Sequence, residues 1–429
     1  MKFANFNAFT RDAGMTFIIR ILGAISALSL NILVARSISL SDAGLFFLLL
    51  AIVTVLGTIG SAGLNTSLIR FISPNYEKNN WIEINSMLFQ GIRRSASLSF
   101  TLLFAALVIN YFYGKTDSFN DNSIYESAML MLLCIPAFSL NLCISASFQG
   151  IFKPLTAVLL LSILAPLLFN LIFGLIIIFF DVNLLNASLA YFLASWISLF
   201  FGIGLWMLNK KNPNEFVHKK SNELIKSSNY LFTSTLMILF VQWTGQIVSS
   251  FYVDSENIAL LAASQRVSLL ISFILIVVNY VAAPKYAAAF EKNNFEELKS
   301  ISHLASRIMI AIAAPISFAV ILFPKYILLI FGSEYTDGWL LLVILSVGQI
   351  INVLTGSVAY LLNMTNNEKV MRNIHIFTGI ICIFMNFVLI PVHGVLGAAI
   401  STSACLALQN LLAFYQVKKK LGFSTIRIW

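Results

Sequence analysis

The chain has 429 residues, 59% of them hydrophobic and only 10% charged, with a formal net charge of +9 and a mean hydropathy of +0.88. Soluble domains carry charge on about a quarter of their residues, so this composition excludes an ordinary soluble enzyme or binding module and fits a polytopic membrane protein.

A helix needs about 20 apolar residues to cross the bilayer core. Twelve such blocks follow one another, at 15–36, 43–66, 94–113, 124–148, 155–180, 184–208, 229–252, 257–283, 304–323, 338–363, 370–391 and 394–417. They are too long and too uniformly apolar for barrel strands, which alternate over about ten residues. Lys2 and Arg11 precede the first block as in a signal peptide, but the block is longer than a signal-peptide core and leads straight into another. It is read as an uncleaved first span.

With the amino terminus in the cytoplasm, Arg36, Lys115 and Lys325 fall outside and Arg20 and Arg266 lie within spans, which leaves 22 of the 27 Lys and Arg on cytoplasmic segments. That asymmetry is the positive-inside pattern. It places both termini in the cytoplasm and explains the basicity without nucleic acid as a partner.

In span one, MTFIIRILGAISALSLNILVARSI, an arginine interrupts the apolar run. Residues at i, i+4, i+7 and i+11 share a helix face, which groups Arg20 with Ala24, Ala27 and Asn31. The same spacing aligns Thr54, Thr58, Ser61 and Asn65 in span two, and Thr235, Gln242, Gln246 and Ser249 in span seven. In span ten it aligns Gln349, Asn352, Gly356, Tyr360 and Asn363. Ser, Thr and Ala alone would mark tight helix packing; stripes that add Gln, Asn and Arg point to a hydrated cavity. Arg20 lies within about 12 Å of Asp12 along the helix, close enough for its side chain to snorkel to the membrane surface. Arg266 in span eight sits about 14 Å inside the outer end of its span. A central arginine costs about 2.5–3.5 kcal/mol to insert and commonly serves function. No Asp or Glu lies deep in any span, so a cavity holding these arginines is electropositive and suits phosphate oxygens rather than a cation.

Pro136, Pro166 and Pro315 fall inside spans four, five and nine, where each removes a backbone hydrogen bond and favours a kink. Trp206 and Trp339 lie at span ends, as interfacial anchors do. The four histidines are read as loop residues, and Cys134, Cys143, Cys382 and Cys405 have no metal-type spacing. No metal site, cofactor or catalytic residue is therefore expected. The chain also lacks a nucleophile elbow and a phosphate loop, which argues against an enzyme.

The polar stretch NKKNPNEFVHKKSNELIKSS divides the chain into six spans before and six after. DVNLLNASLAYF opens span six and PVHGVLGAAIST opens span twelve, and both spans run into lysine pairs or triplets. This weak similarity fits a parallel six-span repeat. The expected fold is an all-α integral membrane protein of about twelve helices: an N-lobe over 1–208, a basic linker over 209–228, a C-lobe over 229–417 and a basic tail over 418–429.

The run IRILGAISALSLNILVARSISLSDAGLFFLLLAIVTVLGTIGSAGLNTSLIRF resembles the first two spans of Wzx-type O-antigen and polysaccharide flippases. LFPKYILLIFGSEYTDGWLLLVILSVGQ and FVLIPVHGVLGAAISTSACLALQNLL resemble spans nine to twelve of the same family. The resemblance implies the multidrug/oligosaccharidyl-lipid/polysaccharide (MOP) exporter superfamily, with two six-helix lobes in a V around a cationic cavity. It implies a bacterial inner-membrane protein that moves an undecaprenyl-pyrophosphate-linked oligosaccharide to the periplasmic leaflet by alternating access. An O-antigen polymerase and a chain-length regulator are the implied protein partners. Arg20 and Arg266 match the family's arginines near the diphosphate, and Arg70 and Asp42 match further charged positions, Asp42 with a gating or ion-coupling role. The rival readings are a multidrug or cation exporter of the same fold, which should carry carboxylates within its spans, and a membrane-embedded polymerase, which should carry a large arginine-rich outer loop.

Overall fold

All twelve apolar blocks form helices long and apolar enough to cross a bilayer. The computed structural model describes residues 2–114, 122–209 and 222–425, and among these no strand occurs. Most of the basic linker (210–221), the end of the basic tail (426–429), the outer-loop residues 115–121 and His218 lie outside the described residues. Large apolar side chains on the helix exteriors, such as Ile178 at 72% exposed and Phe384 at 69%, form the surface expected to face lipid.

The chain divides into two compact units, Met1–Thr235 and Leu236–Trp429. The first contains α1 (Lys2–Ser37), α2 (Leu40–Gly60), α3 (Leu64–Glu77), α4 (Trp81–Gly114), α5 (Asn122–Leu132), α6 (Cys134–Gly150), α7 (Pro154–Val158), α8 (Leu164–Phe179) and α9 (Leu184–Asn209). The boundary falls inside α10 (Asn222–Ser249). The second unit continues with α11 (Ser255–Glu291), α12 (Phe295–Leu322), α13 (Pro324–Leu328), α14 (Trp339–Leu354), α15 (Val358–Met364), α16 (Glu368–His393) and α17 (Val395–Leu421).

The breaks in the helices have local causes. Ser39 caps α2, its Oγ accepting the Asp42 amide at 3.1 Å. Span two does not run straight to Asn65. After Gly60 the chain turns through Ala62 (φ 52°) and Gly63 (φ 72°) before α3 begins. Gly63 fits there because a Cβ would lie 2.4 Å from the Ser228 carbonyl at the start of α10. Arg94 of α4 fastens the same point, donating from Nη1 to Ser228 Oγ at 2.9 Å and from Nη2 to Asn229 Oδ1. In span four, α5 gives way to α6 just before Pro136; in span five, a π-helical turn at Leu159–Ile163 directly precedes Pro166. Both are the outcome expected where a proline withholds its amide from the preceding turn. Pro315, by contrast, is carried inside the continuous helix α12.

Small residues let the helices approach closely. Ser139 of α6 lies against Gly60, where a Cβ would come 2.9 Å from its Oγ, and it shares a 2.6 Å hydrogen bond with Ser95. In the second unit, a Cβ on Gly348 of α14 would lie 2.9 Å from Ser403 Cα and 3.0 Å from its carbonyl oxygen. Gly348→Val should therefore lower thermal stability of the purified protein by about 1–3 kcal/mol through overpacking. Gly174→Ala, with nothing within 4 Å of the added methyl, should leave stability unchanged or raise it by about 0.5–1 kcal/mol. Equal melting shifts for the two variants would contradict this packing.

Two aromatic and histidine expectations change. Trp206 is not an interfacial anchor: it is buried in the core of the first unit, its ring edge-on to Phe148 at 5.3 Å. Trp339 is the more exposed of the pair, with Lys325 Nζ 5.8 Å above its ring. His303 lies on α12 and His375 and His393 on α16 rather than in loops, and His375 is buried.

Candidate functional site

The polar residues inside the first unit converge on a cavity of about 160 Å³, reached from five spans: Asn31 of α1, Leu50 of α2, Asn141 of α6, Pro166 of α8, and Tyr191 and Ser195 of α9. Asn31 is 7% exposed. Its Nδ2 donates to the Ala27 carbonyl of its own helix at 2.5 Å, and its Oδ1 has no hydrogen-bond partner among the described residues. Asn141 Nδ2 donates to the Leu160 carbonyl at 2.9 Å and to Ser198 Oγ at 3.3 Å, and its Oδ1 is likewise unmatched. The Leu160 carbonyl lies in the π-helical turn before Pro166, so the proline defect and the cavity belong to one feature. The lining holds oxygen acceptors and no carboxylate, and can accept hydrogen bonds from water or hydroxyl groups.

Arg20 lies on α1 below Asn31 in sequence and is half-buried. Thr54 and Thr58, half-buried on α2, donate to the Leu50 and Thr54 carbonyls of their own helix at 2.8 and 2.7 Å. Their hydroxyls therefore keep lone pairs to offer but have committed their hydrogens. Asn65 lies beyond the left-handed turn, on α3, where its Oδ1 accepts the Thr66 amide at 3.0 Å. It thus does not continue a single helical face from Thr54 and Thr58. Arg70 is exposed on α3, and Asp42 is half-buried in the first turn of α2, where an acidic side chain also favours the helix dipole.

In the second unit, Arg266 is the twelfth residue of α11, about 16 Å along the helix from its start. Its Nη1 donates to the Ala262 carbonyl one turn back at 3.0 Å. The Tyr335 hydroxyl lies within electrostatic reach of the guanidinium. Tyr335 is 1% exposed and comes from the short 3-10 turn Ser333–Gly338. That turn is fastened to α11 where Ser264 Oγ donates to the Gly338 carbonyl at 3.2 Å. Beside Arg266, Gln265 Nε2 donates to the Gln242 carbonyl of α10 at 2.6 Å and ties the two helices together.

The span-seven stripe faces the interior of its unit. Gln246 is 1% exposed, and neither end of its amide has a hydrogen-bond partner among the described residues; Ser249 is buried with its Oγ in the same state. Gln242 is half-buried, as is Thr235 at the boundary of the first unit. In span ten, Gln349 is buried and its Oε1 accepts from Asn352 Nδ2 at 3.4 Å.

Asn141, Tyr191 and Ser195 were not singled out by the stripes. Asn141 had a signal, a lone amide in an otherwise apolar span, but Tyr191 and Ser195 blend into helix-packing composition. Tyr335 lies between the apolar blocks of spans nine and ten, where periodicity gives no face.

A profile of the family described as "Polysaccharide biosynthesis protein" matches residues 9–290. The chain is 20% identical over 240 residues to a probable low-salt glycan biosynthesis flippase, Agl15, of Haloferax volcanii. That match covers 54% of this chain and spans half the length of the relative. It is 23% identical over 387 residues to a putative O-antigen transporter of Shigella flexneri, covering 88% of this chain and 90% of that protein. The fold matches the inward-facing conformation of a multidrug resistance MATE family transporter of the MOP superfamily, with a TM-score of 0.77, 15% identity, and coverage of 96% of this chain and 98% of that one.

Proposed function

Because the chain belongs to the polysaccharide biosynthesis protein family, we propose that it is a flippase that carries an undecaprenyl-pyrophosphate-linked oligosaccharide from the cytoplasmic to the periplasmic leaflet of a bacterial inner membrane. The observation that carries this reading is the placement of arginine without carboxylate. Arg266 lies about 16 Å inside α11, and no Asp or Glu of the sequence occupies a comparable depth in any span. A half-buried guanidinium within a span favours an anion, and its planar fork matches phosphate oxygens. A cation exporter needs the opposite polarity.

Arg20 supplies a second positive charge from α1. Arg70 is a contact to the diphosphate at the cytoplasmic end of span two and Asp42 a gating position. The buried amides and hydroxyls of Asn31, Gln246, Ser249 and Gln349 offer adaptable hydrogen bonds to sugar hydroxyls, supplemented by Thr54, Thr58, Asn65, Thr235, Gln242 and Asn352. Alternating access of two lobes moves the head group while the lipid tail stays in the bilayer. A polymerase and a chain-length regulator receive the product outside. Removing the protein from its host should abolish the surface glycan and leave lipid-linked repeat units on the cytoplasmic face. A normal surface glycan without such accumulation would overturn the reading.

The distribution of Lys and Arg supports cytoplasmic ends for both halves. Reporter fusions after Lys220 and Lys420 should behave as cytoplasmic, and one after Asp121 as periplasmic. A periplasmic signal at Lys420 would contradict this topology.

A further inference from the structure

Span ten is broken, and the residues that follow α17 close the break. α14 ends at Leu354 and α15 starts at Val358, with Gly356 between them at φ 73°. A Cβ on Gly356 would come 2.4 Å from Ser306 Oγ of α12. A spanning helix interrupted within protein must have its freed backbone groups met from elsewhere. Here the Thr355 carbonyl accepts from Thr425 Oγ1 at 2.7 Å. The segment carrying Thr425 leaves α17 through Gly422 (φ 77°) and buries both Phe423 and Thr425. It also lends its Ser424 carbonyl to His303 Nε2 at 2.8 Å, and the Phe423 ring stands edge-on to His303 at 6.4 Å.

A second observation marks the same place. Tyr286 of α11, Ser302 and Ser306 of α12, and Ser357 at the break are all at most 1% exposed. Their hydroxyls make no hydrogen bond of good geometry among the described residues, although Tyr286 lies within reach of Ser302 and Ser357. Four buried hydroxyls gathered beside a helix break form a polar patch that apolar packing does not reward.

We propose that residues 422–425 are a strap that holds the interruption in span ten closed, and that the interruption is a hinge whose buried hydroxyls take up water when the strap lets go. This goes beyond the flippase reading and does not depend on the cargo. The contacts of the strap include a hydroxyl to a freed carbonyl, a carbonyl to an imidazole, and an aromatic ring on that imidazole. All three belong to one short segment after α17, so the device is local.

Hydrogen exchange of the purified protein, with no transport assay involved, tests it. Thr425→Val keeps the shape of the side chain and removes only the donor to Thr355. A chain ending at Leu421 removes the strap altogether. In both, amide exchange of residues 353–358 and 302–306 should rise, by roughly tenfold in Thr425→Val for the loss of about one hydrogen bond, while the interior of α16 stays as in the parent. If the shortened chain cannot be isolated, Thr425→Val decides alone. Unchanged exchange at 353–358 in Thr425→Val, or a rise spread evenly over the second unit, would overturn the strap and leave the flippase reading untouched.

Discussion

Arg266→Ala should abolish export of the glycan while the protein accumulates in the membrane near its normal level. The side chain lies in mid-span, and its Nη1 donates to the Ala262 carbonyl of its own helix, a contact that a helical backbone does not require. Truncating one partner of a buried charge pair costs about 2–5 kcal/mol, which is roughly a thirtyfold loss of rate or more. Arg266→Lys should retain part of the activity, because lysine keeps the charge and loses the bidentate fork. The check is surface glycan together with immunodetected protein abundance. Full-length surface glycan from Arg266→Ala would make the arginine structural.

Gln246→Leu should separate function from stability in the opposite direction. Gln246 is buried with both ends of its amide unmatched by protein groups. An apolar side chain of similar size avoids the cost of burying such a group, about 1–3 kcal/mol, so the melting temperature of the purified variant should hold or rise. Transport should nevertheless fall, by roughly two- to twelvefold if one neutral hydrogen bond to the sugar is lost, and more for the complete repeat unit than for a carrier with a truncated sugar. Alanine at Thr58, Asn65 or Gln242 should act in the same graded manner. A destabilised Gln246→Leu with unchanged transport per folded molecule would place this amide in the packing instead.

The fold was legible in the sequence because membrane insertion depends on block hydropathy, and each of the twelve blocks falls in a helical stretch long and apolar enough to cross a bilayer. Proline chemistry located two interruptions as well, at Pro136 and ahead of Pro166. The turn at Ala62 and Gly63 is hidden from hydropathy, which continues through GSAGLN although its glycines announce a break. The same holds for Gly356 in span ten. Trp206 shows the limit of reading anchors from span ends: a tryptophan near an end is equally suited to a core when Phe148 stands opposite.

Of the span-seven stripe read by helical periodicity, Gln246 and Ser249 are buried and Thr235 and Gln242 half-buried. Periodicity could not assemble a site from several helices. Asn31 was visible on its stripe, but the partners that make it a cavity come from α6, α8 and α9, and no spacing within one helix encodes those neighbours. Tyr335 illustrates the same point beside Arg266. Its place is set by the 3-10 turn held to α11 through Ser264, a long-range contact without local signal.

The most direct test of the flippase reading is transport by the purified protein in sealed vesicles containing an undecaprenyl-pyrophosphate-linked oligosaccharide. Glycan exposure on the far leaflet is measured over time, with the parent protein and Arg266→Ala side by side. The account predicts rapid movement of the pyrophosphate-linked lipid by the parent, at least about thirtyfold slower movement by Arg266→Ala, and no accumulation of a cationic dye by either. Dye transport without movement of the lipid, or equal lipid movement by both proteins, would contradict it.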